Sequence, residues 1–87
     1  MSKYSSDSFR ELLESQYSWP ALYTFKFIVL SSKKEEVTNL FKNHDIVEKP
    51  SKGGKYVSIT SKVMARDADD VINTYITASN IEGIIAL

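Results

Sequence analysis

Between Leu22 and Leu30 the chain alternates, with Tyr23, Phe25, Phe27 and Val29 on one side and Thr24, Lys26 and Ile28 on the other. A period of two belongs to a strand, where successive side chains point to opposite faces. Three aromatic rings on one side make that side the core face, so this segment calls for a sheet covered by other elements on one face. The register is fixed by the same pattern. A slip of one residue would turn the rings to water and bury Lys26.

The remaining elements follow from local signals. Ser5 to Gln16 carries Phe9, Leu12 and Leu13 at i, i+3 and i+4, behind a capping candidate at Ser6 or Asp7, and reads as a short amphipathic helix that Trp19 and Pro20 end. Ser32 followed by Glu35 has the form of a capping box, opening a helix to about Asn43 with Val37, Leu40 and Phe41 inward. Ile46 to Pro50 is a short strand, kept to a sheet edge by a proline with no N–H to donate. Ser51, Lys52, Gly53 and Gly54 form the turn, the paired glycines supplying positive φ. Lys55 to Ala65 is the longest strand, with Val57, Ile59, Val63 and Ala65 inward and Tyr56, Ser58, Thr60 and Lys62 outward. Ser61 is a polar intruder on its inward side. Asp67 caps a helix from Ala68 to about Ser79, with Asp69 and Asp70 near its positive dipole end and Ala68, Val71, Ile72, Tyr75 and Ile76 as its buried stripe. Gly83 leads into a last strand, Ile84 to Leu87, apolar on both faces.

After the leading helix this order is βαββαβ. With right-handed crossovers it is the α+β, ferredoxin-like plan, a four-stranded antiparallel sheet in the order 4-1-3-2 with two helices on one face. Residues 1–18 are expected to form the extra helix and linker, and residues 19–87 the ferredoxin-like domain. The apolar last strand and Ile28 leave an uncovered strip, so the leading helix is expected across the sheet edge, on its open face, or on a second copy.

With 87 residues, no cysteine and 43% hydrophobic content, one small domain must hold together by apolar packing alone. No run is apolar enough to span a bilayer, and Met1 to Gln16 lacks the pattern of an export signal, so a soluble, cytoplasmic protein is expected. Eleven acidic and eleven basic residues cancel, which removes any general pull toward nucleic acid or anionic membrane.

A wider pattern then emerges. Trp19 and Pro20 through Phe25, Lys26 and Phe27, then Pro50, Ser51, Lys52, Gly53, Gly54, Lys55, Tyr56, Ser58, Ile59 and Thr60, then Val71 and Tyr75, and finally Ile81, Glu82, Gly83 and Leu87 together resemble the YbeD-like family, small bacterial proteins of unknown function. The resemblance covers about Trp19 to Leu87. It implies a ferredoxin-like fold similar to the ACT regulatory domains, which bind amino acids at interfaces between subunits.

No residue set specifies a reaction. Lys52, Gly53, Gly54, Lys55, Tyr56 and Val57 loosely echo the third-strand motif of RNA-recognition domains, but Gly54 and Ile59 stand where two further stacking aromatics would be needed. Gly54-Lys55 has neither the upstream glycine nor the following Ser or Thr of a phosphate loop. His44 is the only histidine and reads as a helix-end residue, with no neighbour in sequence to make a triad or metal site. Glu35, Glu36, Asp67, Asp69 and Asp70 are explained by helix starts. Arg10 and Arg66 lie outside any loop suited to acylphosphatase chemistry. The expectation is therefore a non-enzymatic regulatory or adaptor module without cofactor or metal. It would bind a protein or small molecule, or form homo-oligomers, with RNA binding as the alternative. The candidate contact residues are Lys52, Gly53, Gly54, Lys55, Tyr56 and Ser58, on a hairpin expected to be exposed and mobile because its glycines lack packing.

Overall fold

The computed structural model describes residues 7–87. Its elements are α1 (Asp7–Gln16), β1 (Ala21–Leu30), α2 (Lys34–Thr38), β2 (Ile46–Pro50), β3 (Tyr56–Ala65), α3 (Ala68–Ala78) and β4 (Ile85–Ala86). Short 3₁₀ turns at Ser31–Lys33 and Asn39–Phe41 flank α2. Ser6 lies outside the described residues.

The strands form one antiparallel sheet in the order β2-β3-β1-β4, which counted from the other edge is β4-β1-β3-β2. The two long strands take the middle and pair from Ala21 against Ala65 to Leu30 against Tyr56. The edges go to β2, which ends in Pro50, and to β4, where two residues pair with Phe27 and Ile28. The last strand is thus shorter than its apolar run suggested, because Gly83 turns at φ 74° and the chain joins the sheet only at Ile85.

The inward faces are those the alternation requires. Phe25, Phe27, Val29, Val57, Ile59 and Ala65 are buried from the sheet, and Val37, Phe41, Ala68, Val71, Ile72, Tyr75 and Ala78 are buried from above. Ser61 is also buried, and its hydroxyl donates to the Asp45 carbonyl at 2.9 Å, which satisfies the polar intruder. The core is largely aromatic. Phe25 meets Tyr75 edge-on at 5.2 Å between ring centroids, Phe41 at 5.5 Å and Tyr23 at 4.8 Å.

Two expectations are corrected. The second helix is not one continuous helix from a Ser32 capping box, since no side chain caps its start and a single α-helical stretch sits between 3₁₀ turns. The neighbouring Ser31 turns instead to the β2–β3 hairpin, giving its N–H to Lys55 O at 2.9 Å and its hydroxyl to Gly54 O. Without a side-chain cap, the helix start tightens into 3₁₀ geometry.

The leading helix is also not on the sheet's open face or edge. It packs beside α3 on the helical side, where Phe9 meets Tyr75 edge-on at 5.8 Å, Leu13 joins the core and Arg10 pairs with Asp69 at 2.6 Å. The working stripe is Phe9, Leu13 and Tyr17, spaced four residues apart, while Leu12 remains 51% exposed. The ring of Tyr75 and the adjoining Tyr23 offer α1 an aromatic ledge, and quadrupolar edge-to-face contacts add to burial there.

Two substitutions test this packing. Phe27→Ala should cost about 3–5 kcal/mol in urea unfolding, a large share of the stability of a small domain. Leu13→Ala should cost about 2–5 kcal/mol, whereas Leu12→Ala should stay within about 0.5 kcal/mol. Equal costs at the two leucines would mean that α1 does not pack as described.

Candidate functional site

The hairpin between β2 and β3 is built around Ser51. Its N–H donates to Tyr56 O at 2.8 Å, its carbonyl accepts from Gly54 N–H at 2.8 Å, and its hydroxyl accepts from Tyr56 N–H at 3.1 Å. Gly53 and Gly54 adopt φ of 88° and 76°, with open space where a side chain would stand. The loop is exposed, as expected, but it is not loosely attached. With Ser31 bonded to Gly54 and Lys55, its backbone is tied on two sides.

This geometry divides the six candidate residues. Lys52, Gly53, Gly54 and Lys55 form the tip, while Tyr56 and Ser58 project from β3 onto the face of the sheet that none of the described helices covers. There they border a shallow depression of about 260 Å³ with Ile28, Lys49, Pro50 and Ser51. Lys55 Nζ lies 5.6 Å from the centroid of the Tyr56 ring, close enough for a cation–π contact. Ser58 Oγ donates to Lys49 O at 3.4 Å.

The cross-strand register defines the rest of this open face. At one end Leu22 stands opposite Met64; next come Thr24 and Lys62, then Lys26, Thr60 and Val47. The following row is Ile85, Ile28, Ser58 and Lys49, and the far end is Leu30 and Tyr56. Leu22, Val47, Met64 and Ile85 are each more than half exposed, at 54%, 66%, 59% and 52%. Lys26, Lys49 and Lys62 rise between them, and every residue these strands present here is neutral or basic. A second depression, along Leu22, Val47, Thr60 and Lys62, has Asp45 at its rim.

Ion pairs are concentrated on the other side of the molecule. Arg10–Asp69, Lys33–Glu36, Lys34–Glu48 and Arg66–Asp70 involve none of the open-face lysines. One of them is a fork in which Arg66 Nε and Nη2 donate to the two oxygens of Asp70 at 2.9 and 2.8 Å, while the Arg66 N–H also donates at 2.8 Å. Asp67 accepts the Asp70 N–H at 2.9 Å, closing the start of α3. The side-chain hydrogen bond from Arg66, then that from its backbone, hold the Asp70 carboxyl at about 2.

His44 borders a groove of about 180 Å³ between the α2 segment and α3, with Asp70 and Thr74 on the opposite wall. Asp70 is engaged by Arg66, and Thr74 donates to the Asp70 carbonyl at 2.8 Å. Among the described residues there is no group of three or more His, Cys, Asp or Glu that could hold a metal ion. No described helix is long and apolar enough to cross a membrane.

The segregated lysines were open to sequence reasoning, because Lys26, Lys49 and Lys62 all fall on outward strand positions. The Ser31 clamp and the Arg66–Asp70 fork carry no comparable signal, since any surface serine or i, i+4 charge pair looks the same in one dimension. A family model described as Protein of unknown function (DUF493) matches residues 14–87. No curated protein and no solved structure matches the chain.

The Asp70 fork sets a pH dependence. Because its folded-state pKa is lowered, its stabilisation is complete above the ordinary carboxylate value near 4 and disappears as pH falls toward 2. Asp70→Asn should therefore lower Tm at pH 7, and the gap from wild type should close between pH 4 and pH 2. A gap that stays constant across that range would show that the carboxylate charge is immaterial.

Proposed function

Because the chain belongs to the family described as Protein of unknown function (DUF493), whose description assigns no reaction, we propose from the geometry that it is a non-enzymatic regulatory or adaptor module working through its open sheet face. The observation that carries this reading is the set of aliphatic side chains held in water on a face with no described helix over it, interspersed with lysines that have no ion-pair partner among the described residues. An antiparallel sheet can leave one face to solvent, but such a face ordinarily alternates to polar residues. Leu22, Val47, Met64 and Ile85 break that rule together, and exposed apolar side chains gathered on one face are the mark of a contact site.

The βαββαβ order and one-sided helices suit a ferredoxin-like description, and the YbeD-like resemblance with its ACT-like implication agrees with a binding role. The partner would be a protein or a small ligand. The hairpin tip extends the same surface past Tyr56 and Ser58, so Lys52 and Lys55 would contribute at its margin.

RNA binding has weaker support. A single-strand platform stacks bases on several exposed aromatics, and among the described residues of this face Tyr56 stands alone, with Lys55 over its ring. The central rows hold Thr24, Lys26, Thr60 and Lys62, which can meet phosphate but cannot stack.

The experiment is capture on the immobilised full chain from extract of the source cells, with native mass spectrometry for retained small molecules. Met64→Ser with Ile85→Ser should keep the wild-type Tm and lose the retained species at least tenfold. Lys52→Glu with Lys55→Glu should weaken retention less. Retention untouched by either pair would reject the open face as the working surface.

A further inference from the structure

The charge pattern of the open face says more about its partner than its apolarity does. The chain is neutral overall, yet its carboxylates are placed unevenly. Glu11 and Glu14 on α1, Glu35 and Glu36 on α2, and Asp69 and Asp70 on α3 all belong to the helical layer. Lys26, Lys49 and Lys62 occupy the middle rows of the sheet face, and of its two depressions the one along Leu22 and Val47 has a carboxylate, Asp45, in its lining, while the one beside Tyr56 has none. We propose that this face is built to receive an acidic, amphipathic helix of another protein, laid along β1 and β3. The proposal rests on the open face being the working surface.

The spacing specifies that helix. Leu22 with Met64 form an apolar row at one end, Ile28 with Ile85 form another three rows on, beside Lys49, and Lys26 and Lys62 lie between these rows, with Val47 on the β2 edge. Leu22 and Ile28 are six residues apart on one strand, roughly 20 Å, which is the length of about 13 helical residues. The complementary segment therefore carries two apolar clusters about 13 residues apart on one face, with carboxylates between them.

Other occupants fit less well. An added strand needs a free edge, but β4 offers two residues and β2 ends in a proline that cannot donate. A helix satisfies its own backbone hydrogen bonds and needs only side-chain contacts, which is what a sheet face presents. A second copy joined face to face about a two-fold axis would bring lysines against lysines, a like-charge cost at the centre of the contact. A nucleic acid would meet aliphatic ends instead of stacking aromatics.

Three probes separate these cases on the full chain. They are a helical peptide of about 20 residues with leucine clusters at both ends of one face and glutamates between, the same peptide with lysines in place of the glutamates, and a single-stranded oligouridine. Titration at low salt, followed by amide chemical shifts, should place the glutamate peptide on outward residues of β1 and β3, at least tenfold tighter than the lysine peptide. Lys26→Glu with Lys62→Glu should invert that order. Both peptides binding the face equally would overturn the acidic partner while leaving the face as a contact surface. Oligouridine bound in preference, or a dimer of the unmixed protein that buries the face, would overturn it in favour of that occupant. If no probe moves an open-face amide, the inference fails, whereas the open face itself is judged separately by the Met64→Ser with Ile85→Ser capture experiment.

Discussion

The edge-to-face contact between Phe25 and Tyr75 is the joint on which the other packing turns. Phe25 comes from the central strand and touches Phe27, Tyr23 and Phe41, so it connects the sheet to the segment that ends α2. Tyr75 comes from the middle of α3 and touches Phe9, which brings in α1. Its hydroxyl lies 2.9 Å from that of Tyr23, so the polar tips satisfy one another at the margin of the core. Tyr17 and Trp19 extend the row of rings toward the start of β1, where the indole N–H donates to Glu14 at 3.1 Å. A domain of this size has few residues to bury, and large flat rings supply the most area for each one ordered.

That arrangement has a consequence for the other side of the sheet. All three helices are drawn to the aromatic face, including the short leading one, because Tyr75 and Tyr23 give it a surface that lysine-studded strands do not. The opposite face keeps its aliphatic side chains in water. Folding alone gives no reason to place Leu22, Val47, Met64 and Ile85 there, and polar residues at those positions would satisfy the same strand alternation. The energetic demands of the core are met on one face, and the functional reading depends on the other.

Charge follows the same division. Carboxylates fall in the first turns of α2 and α3, where the helix dipole and capping favour them, and they are partly neutralised by Arg10, Lys33 and Arg66, while Lys34 pairs with Glu48 of β2. Among the described residues, the sheet lysines have no such partners. A formal net charge of zero therefore conceals a molecule with a basic face, which matters for how it would steer and orient a partner.

Periodicity in the sequence determined the strands, their inward faces, the Asp67 cap and the edge position of β2, because each depends on residues within a few positions of one another. Thus Phe25 and Phe27 alternate with Lys26 whatever the rest of the chain does, and Pro50 cannot donate a ladder hydrogen bond in any context. The hairpin was legible in the same way, from Gly53 and Gly54, but its anchoring was not, because Ser31 reaches it from twenty-three residues away. Likewise the stripe on α1 announced a face to be buried without saying against what. Only the tertiary structure decided that Phe9 meets Tyr75 and that Ser31 clamps the hairpin at Gly54 and Lys55. Those outcomes depend on which distant segments pack together, and that is set by the total area and shape each pairing buries, a quantity that no local pattern contains.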